Sequence, residues 1–238
     1  MKILTRNETA DFLLTHDNFT ILSHRRPDGD TIGSTAALCF GLRQLGKKAH
    51  VLYNPEISQR FAWLHEGLTK ESVEEGDVLV SVDVASPGML PKAFQHLLGK
   101  IQLRIDHHAS ATSFTDVELV DGGSASCAEV VWDVLERMGV QMDQAIGEAV
   151  YVGTSTDTGC FRYANTTGDT FAVASACAKA GAEVFTINQA LFETNSLARL
   201  KVQSYMLENA IFLQDGKIAI CPLPKAVEYC SAIVIIGV

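Results

Sequence analysis

Short apolar runs alternate along the chain with stretches whose apolar residues recur at helical spacing. Phe19 to Leu22 is a buried-strand pattern, and beyond it Ile32, Ala36, Leu38, Leu42 and Leu45 fall near one helical face. This predicts a strand over 19–24 and a helix over 31–45, closed by Gly46. Lys48–Tyr53 and Val117–Val120 read as further strands. Asp77–Asp83 is a continuous apolar run ending in an acid, the mark of a strand covered on both faces. Ile101–His108 is another strand with polar groups at its end. Between them the spacing predicts helices over 8–16, 87–98, 124–138, 144–152, 167–180 and 183–193, with mixed structure over 54–75. Phe61 and Trp63, within that mixed stretch, are aromatics of the kind that stack a base, but a core role is the reading preferred for both. A long polar-faced helix over 197–212 and a strand over 217–221 follow. Strands alternating with helices predict an α/β fold, a doubly wound and mostly parallel sheet with helices on both faces.

Composition narrows what such a fold serves. A net charge of −9 over 238 residues argues against wrapping a long nucleic-acid duplex, which needs clustered Lys and Arg. It leaves room for a short or terminal phosphate substrate if bound cations offset the local acids. The six cysteines are scattered and form no C-x-x-C pair, the usage of a reduced compartment. The first fifteen residues are amphipathic and carry acids, unlike a signal peptide, and no apolar run reaches membrane-spanning length. A cytoplasmic protein with no membrane partner is expected.

The candidate chemistry sits where strands end. His24, Asp28 and Asp30 fall within seven residues on the turn between the first strand and its helix. Two carboxylates that close repel unless a cation lies between them, and one imidazole with several carboxylate oxygens suits Mn²⁺, Mg²⁺ or Zn²⁺. The plain alternative is an Asp30 N-cap beside a Pro-Asp-Gly turn. Asp83 ends a second strand, Asp106-His107-His108 a third, and Asp157 sits on a Gly-bounded polar turn over 153–159. Each acid alone has a dull explanation as a cap or a turn. Parallel strands, however, all finish on one edge of a sheet, so the four clusters converge there.

These residues resemble the DHH phosphoesterase family. His24-x-x-x-Asp28-x-Asp30, the strand ending in Asp83, Asp106-His-His and Thr154-x-Thr-Asp157-Thr-Gly159 match its four motifs in order. Arg26-Pro-Asp-Gly-Asp30-Thr-Ile-Gly-Ser34, Ser124-Ala-Ser-Cys-Ala-Glu129 and Asp157-Thr-Gly-Cys-Phe-Arg162-Tyr-Ala-Asn165 are similar to one branch. That branch comprises the bacterial oligoribonucleases that also act as 3′-phosphoadenosine 5′-phosphate (pAp) phosphatases, relatives of RecJ-type exonucleases. The resemblance implies two divalent ions, usually Mn²⁺. It implies that one is held by His24, Asp28 and Asp83, and the other by Asp30, Asp83, His107 and Asp157. Asp30 and Asp83 then belong to the catalytic centre, His108 is a donor to substrate, and Asp106 orients a histidine from behind. Arg26, Arg162 and the helix start at Ser124–Ser126, with the Ser126 hydroxyl, are the phosphate-binding candidates.

By the same resemblance, residues 1–193 form the catalytic domain, 194–214 a linker helix, and 215–238 the remnant of a truncated C-terminal substrate-binding domain. No Gly-Gly-Gly-His stretch, expected of that second domain, occurs. An apolar tail, Ser231–Val238, and an unpaired strand over 217–221 favour self-association, a homodimer in the simplest case. The expected function is hydrolysis of short oligoribonucleotides and pAp. Inorganic pyrophosphate and linear dinucleotides are the alternative substrates, and a nucleotide-binding remnant without turnover is the non-enzyme alternative.

Overall fold

Why each strand hands over to its helix where it does is set by side chains at the turns. The computed structural model describes residues 2–223. Strand β1 (Lys2–Ile3) leads into helix α1 (Arg6–Thr15), where Thr5 and Glu8 form a reciprocal capping box. Strand β2 (Phe19–Leu22) is buried throughout. Helix α2 (Gly29–Gln44) begins ahead of the expected residue 31 because Asp28, not Asp30, is the N-cap, its side chain accepting the Thr31 N–H. Asp30 is thereby placed in the first turn. Strands β3 (Ala49–Leu52), β4 (Thr69–Lys70), β5 (Val78–Val82), β6 (Ile101–Asp106) and β7 (Val117–Val120) follow. Helices α3 (Cys127–Arg137), α4 (Gln144–Asp157), α5 (Gly168–Lys179) and α6 (Val184–Asn188) complete this part of the chain.

The seven strands form one sheet in the order β1-β7-β6-β5-β2-β3-β4, and every neighbouring pair is parallel. The chain runs outward from β2 in both directions, through β3 and β4 on one side and through β5, β6 and β7 on the other. The carboxyl ends of β2 and β5 therefore flank the switch point, where such sheets open a crevice.

Leu22, Leu52 and Leu79 pack with Leu90, Phe94 and Leu97. That cover is not the α-helix expected over 87–98 but two 3₁₀ stretches, Pro87–Met89 and Lys92–Lys100. Pro91 has no N–H to give to the carbonyl of Pro87, and its ring would clash there, so an α-helix through both prolines is interrupted. Helix α2 packs against α3 and α4. At the α2–α4 crossing, a Cβ on Gly33 would lie 2.3 Å from the Ala149 carbonyl oxygen, so the two backbones approach to a distance only glycine permits.

Helix α4 continues to Asp157, past the residue 152 where the pattern predicts a turn. The hydroxyls that suggest a turn bend back instead: Thr156 Oγ1 donates to the Val152 carbonyl at 2.8 Å and Thr158 Oγ1 to that of Thr154 at 2.6 Å. Trp63 is also placed differently from expectation. It is 44% exposed rather than part of the core, because the 3₁₀ turn Ala62–His65 buries Leu64 and His65 instead.

A second compact unit begins at Phe192. It holds helix α7 (Leu197–Glu208) and the antiparallel hairpin of β8 (Ile211–Leu213) and β9 (Ile218–Ile220). The helix expected to reach Phe212 stops at Glu208, and the strand expected to be unpaired has a partner. Ile211, Phe212 and Leu213 favour a pleated strand, and Asp215-Gly216 supplies left-handed turn residues, both at positive φ, that close a hairpin. The apolar tail Ser231–Val238 lies outside the described residues. No single helix among the described residues is long and apolar enough to cross a membrane.

Candidate metal centre

The centre is assembled at the switch point. Just past β2, His24 Nδ1 lies 2.7 Å from the carbonyl of Arg25, which can only accept, so Nδ1 carries the proton. The bare Nε2 then faces Asp28 Oδ1 and Asp83 Oδ2, each at 3.8 Å. Asn54, at the end of β3, fixes this turn by donating to the His24 carbonyl at 2.9 Å and to Ser23 Oγ at 3.0 Å. Asp83 follows β5 directly and adopts φ +59°, a left-handed conformation that costs a non-glycine residue about 1 kcal/mol. Its N–H still bonds the Ile105 carbonyl at 2.9 Å. Its Oδ2 accepts the Thr31 hydroxyl at 2.5 Å. Its Oδ1 lies 3.8 Å from His107 Nε2 and 3.5 Å from His108 Nδ1, with no hydrogen-bond partner.

Asp30 is held by a different device. Its carboxylate accepts the N–H groups of Cys127 at 2.6 Å and Ala128 at 2.9 Å, and the Ser34 hydroxyl at 3.0 Å. The positive end of helix α3 thus binds an acid of this chain. Room for it depends on Gly153, where a Cβ would lie 2.9 Å from Asp30 Oδ1 and 2.5 Å from Ala128 Cβ. His107 repeats the arrangement of His24. Nδ1 gives its proton to the Ser124 carbonyl at 3.2 Å, and Nε2 faces Asp30 at 3.5 Å and Asp157 at 3.4 Å. Behind the pair of histidines, fully buried Asp106 accepts His107 N–H and His108 Nδ1–H, both at 2.8 Å.

Burial of so many carboxylates is unfavourable without a counter-charge. Burial, with Asp157 nearby, raises Asp30 to about 7. Burial, with Asp30 and Asp28 nearby, raises Asp83 well above the carboxylate range, and burial raises Asp157 as well. Asp28, the exposed member of the set, is the exception: the neighbouring His24 imidazole and the Thr31 N–H lower it to about 2. The orphaned Oδ1 of Asp83 and the two bare imidazole nitrogens complete a donor set that fits divalent cations. Three overlapping groups, His24/Asp28/Asp83, Asp30/His107/Asp157 and Asp83/His107/His108, each keep their ligand atoms within 4.8 Å of one another.

The substrate candidates fare differently. The Ser126 hydroxyl is fully buried, caps α3 by accepting the Glu129 N–H at 3.2 Å, and touches Thr154 Oγ1 at 3.4 Å. The first amides of α3 go to Asp30, so this helix start does not face a phosphate with free donors. Arg26 and Arg162 are exposed. Arg26 sits at φ +48°, and Arg162 gives its Nε–H to the Gly159 carbonyl at 2.6 Å. Thr31, Ser34, Asn54 and Gly153 support the centre and were not singled out from the sequence. The first two sit one helical turn from Asp28 and Asp30, a signal that becomes readable once α2 starts at Gly29.

The model of the DHH family N-terminal domain matches residues 18–154. The chain belongs to the DHH family. A bifunctional oligoribonuclease and PAP phosphatase of Thermus thermophilus is 32% identical over 212 residues, 86% of this chain and 63% of that protein. A protein of the same name from Bacillus subtilis is 26% identical, over 89% of this chain and 68% of its own length. This DHH chain thus spans less than two thirds of the Thermus relative. Its fold is that of an exopolyphosphatase-related protein from Bacteroides fragilis, with a TM-score of 0.84 at 22% identity, covering 95% of this chain and 72% of that one. The DHH name describes its Asp106-His107-His108 run directly.

Proposed function

We propose that the first unit is a Mn²⁺-dependent phosphoesterase that hydrolyses short oligoribonucleotides and pAp. The observation that carries the proposal is Asp83, whose two oxygens face separate histidine–acid groups, as a carboxylate shared by two cations would. His24, Asp28 and Asp83 would hold one ion, and Asp30, Asp83, His107 and Asp157 the other. When bound, such a pair acidifies a shared water and neutralises charge on the phosphoryl oxygens.

The chain's own groups supply the rest. Carbonyls of Arg25 and Ser124 keep His24 and His107 in the tautomer with a bare Nε2. The α3 amides hold Asp30 in place before any ligand arrives. Asp106 accepts the hydrogen bond of His108 Nδ1–H, which leaves Nε2 as the ring atom open to substrate. The bond to Asp106 also raises the pKa of His108, so this ring can carry a second proton and give it to the leaving oxygen. Exposed Arg26 and Arg162 are the candidate phosphate contacts, as forked donors matched to phosphate oxygens. The relatives' names favour short RNA and pAp, and the net charge of −9 favours a short substrate over a duplex. Cysteines 39, 127, 160, 177 and 221 are free, in keeping with a cytoplasmic site of action.

Turnover with Mn²⁺ of pAp, a 5′-labelled short RNA and pyrophosphate tests the reading. Release of phosphate from pAp and of mononucleotides from the RNA, with little from pyrophosphate, is the expected pattern. Preferential hydrolysis of pyrophosphate would overturn it.

A further inference from the structure

One aromatic-walled hollow of this unit is not used by the chemistry above. Tyr53 and Trp63 line a cavity of about 460 Å³ and are 45% and 44% exposed, with Asn54, His65 and Thr69 also on its wall. Rings left half in water keep surface free for a planar partner to stack on. His65 lines the same hollow and is only 4% exposed, yet its Nδ1 has no hydrogen-bond partner. Its protonation state follows from its other nitrogen. Nε2 lies 3.2 Å from the Ile32 carbonyl and 2.9 Å from Thr35 Oγ1, and that hydroxyl is within 2.8 Å of the Thr31 carbonyl, an acceptor for its own proton. Nε2 therefore carries the hydrogen, and Nδ1 is a buried bare acceptor. Burial, which holds the ring's pKa down to about 4, keeps it neutral.

The hollow also has a telling address. Tyr53 and Asn54 follow β3 at its carboxyl end, beside β2, on the edge that carries the metal-type residues. Asn54 bonds the carbonyl of His24. Two half-exposed aromatic rings beside a phosphoester-cleaving edge match the chemistry of a nucleobase, whose π-face stacks on such rings. We propose that the hollow lined by Tyr53 and Trp63 binds one base of an RNA substrate, stacked on the exposed rings. This names a substrate subsite and rests on the phosphoesterase reading. Every base has a π-face, so the subsite tolerates any sequence.

Trp63 provides the probe, because the only other tryptophan, Trp132, is 8% exposed and serves as a constant background. Short RNA titrated into the full chain should quench tryptophan fluorescence, and an abasic oligomer of equal length should not. Trp63→Leu, an exposed position that leaves the core intact, should remove the quench and raise KM for the RNA roughly tenfold, the usual worth of one stacked base. Turnover of bis-p-nitrophenyl phosphate reports the metal centre separately. Equal quenching by the abasic oligomer, or an unchanged KM in Trp63→Leu, refutes the subsite even where bis-p-nitrophenyl phosphate is hydrolysed. A base-dependent quench that vanishes in Trp63→Leu upholds the subsite even if no ester is cleaved, and in that case the hydrolytic reading alone falls.

Discussion

Nδ1 of His108 lies 2.8 Å from Oδ1 of Asp106, so this histidine is anchored from behind by a fully buried acid, while its neighbour His107 turns Nε2 toward Asp30 and Asp157. Adjacent residues of one type thus have different partners. His107→Ala should lower metal content, because a ligand is lost. His108→Ala should retain metal and reduce kcat by roughly 10²-fold. Elemental analysis beside steady-state kinetics distinguishes the two, and the reverse pattern would exchange their roles. Asp106→Asn removes the charge that raises His108. A donor must be protonated, so the high-pH fall in kcat should begin at lower pH in this variant than in the wild type.

Asp83→Asn should separate stability from function. Burial and its acidic neighbours raise Asp83 in the folded state. A carboxyl raised on folding weakens the fold as pH climbs from the unfolded value through the folded one, since only the unfolded chain ionises freely. Asparagine removes that penalty and accepts the left-handed φ of +59°. Metal-free Asp83→Asn should therefore melt above metal-free wild type at pH 8, while losing most bound Mn²⁺. Retention of two tight ions by the variant would remove the case for a shared carboxylate.

His65 gives the opposite pH signature. Its folded value of about 4 lies below the usual 6.5. The stability tied to the neutral ring is complete above pH 6.5 and declines as pH falls from there toward 4, because the unfolded chain takes the proton first. The effect should approach roughly 3 kcal/mol. Asp30 and Asp83 titrate in both proteins, so the difference between wild type and His65→Gln in denaturant melts isolates this residue. That difference should shrink on going from pH 7.5 to pH 4.5.

Gly153→Ala should injure the centre without touching a ligand. The new Cβ would meet Ala128 Cβ at 2.5 Å and Asp30 Oδ1 at 2.9 Å, so either α4 moves or Asp30 leaves the α3 amides. A stability loss of about 1–3 kcal/mol, typical of overpacking, should accompany weaker Mn²⁺ binding. Calorimetry and metal titration measure the two effects. Unchanged Mn²⁺ affinity would show that Asp30 tolerates the shift.

Much of this architecture was legible in the chain itself. Continuous apolar runs ending in acids located β5 and β6, and the acids at their ends located the centre, because a parallel sheet finishes all its strands on one side. What escaped were features decided by non-local contacts. Gly153 and the hydroxyls of Thr156 and Thr158 look like turn chemistry until the packing of α4 against α2 and α3 makes a helix the better solution. The start of α3 reads as an anion site, and it is one, but the anion is Asp30 from ninety-seven residues earlier. Trp63 was assigned to the core by its hydrophobicity, whereas the turn at 62–65 buries Leu64 and His65 and leaves the indole outside.

The sheet begins and ends in strands of two residues each, β1 and β4. An incoming strand would find one ladder rung at either margin, too little to compensate the entropy of ordering it. Edge-to-edge growth, the common route from an open sheet to fibrils, is thus closed off by brevity rather than by charge. Copies of this unit that associate must meet through side-chain surfaces.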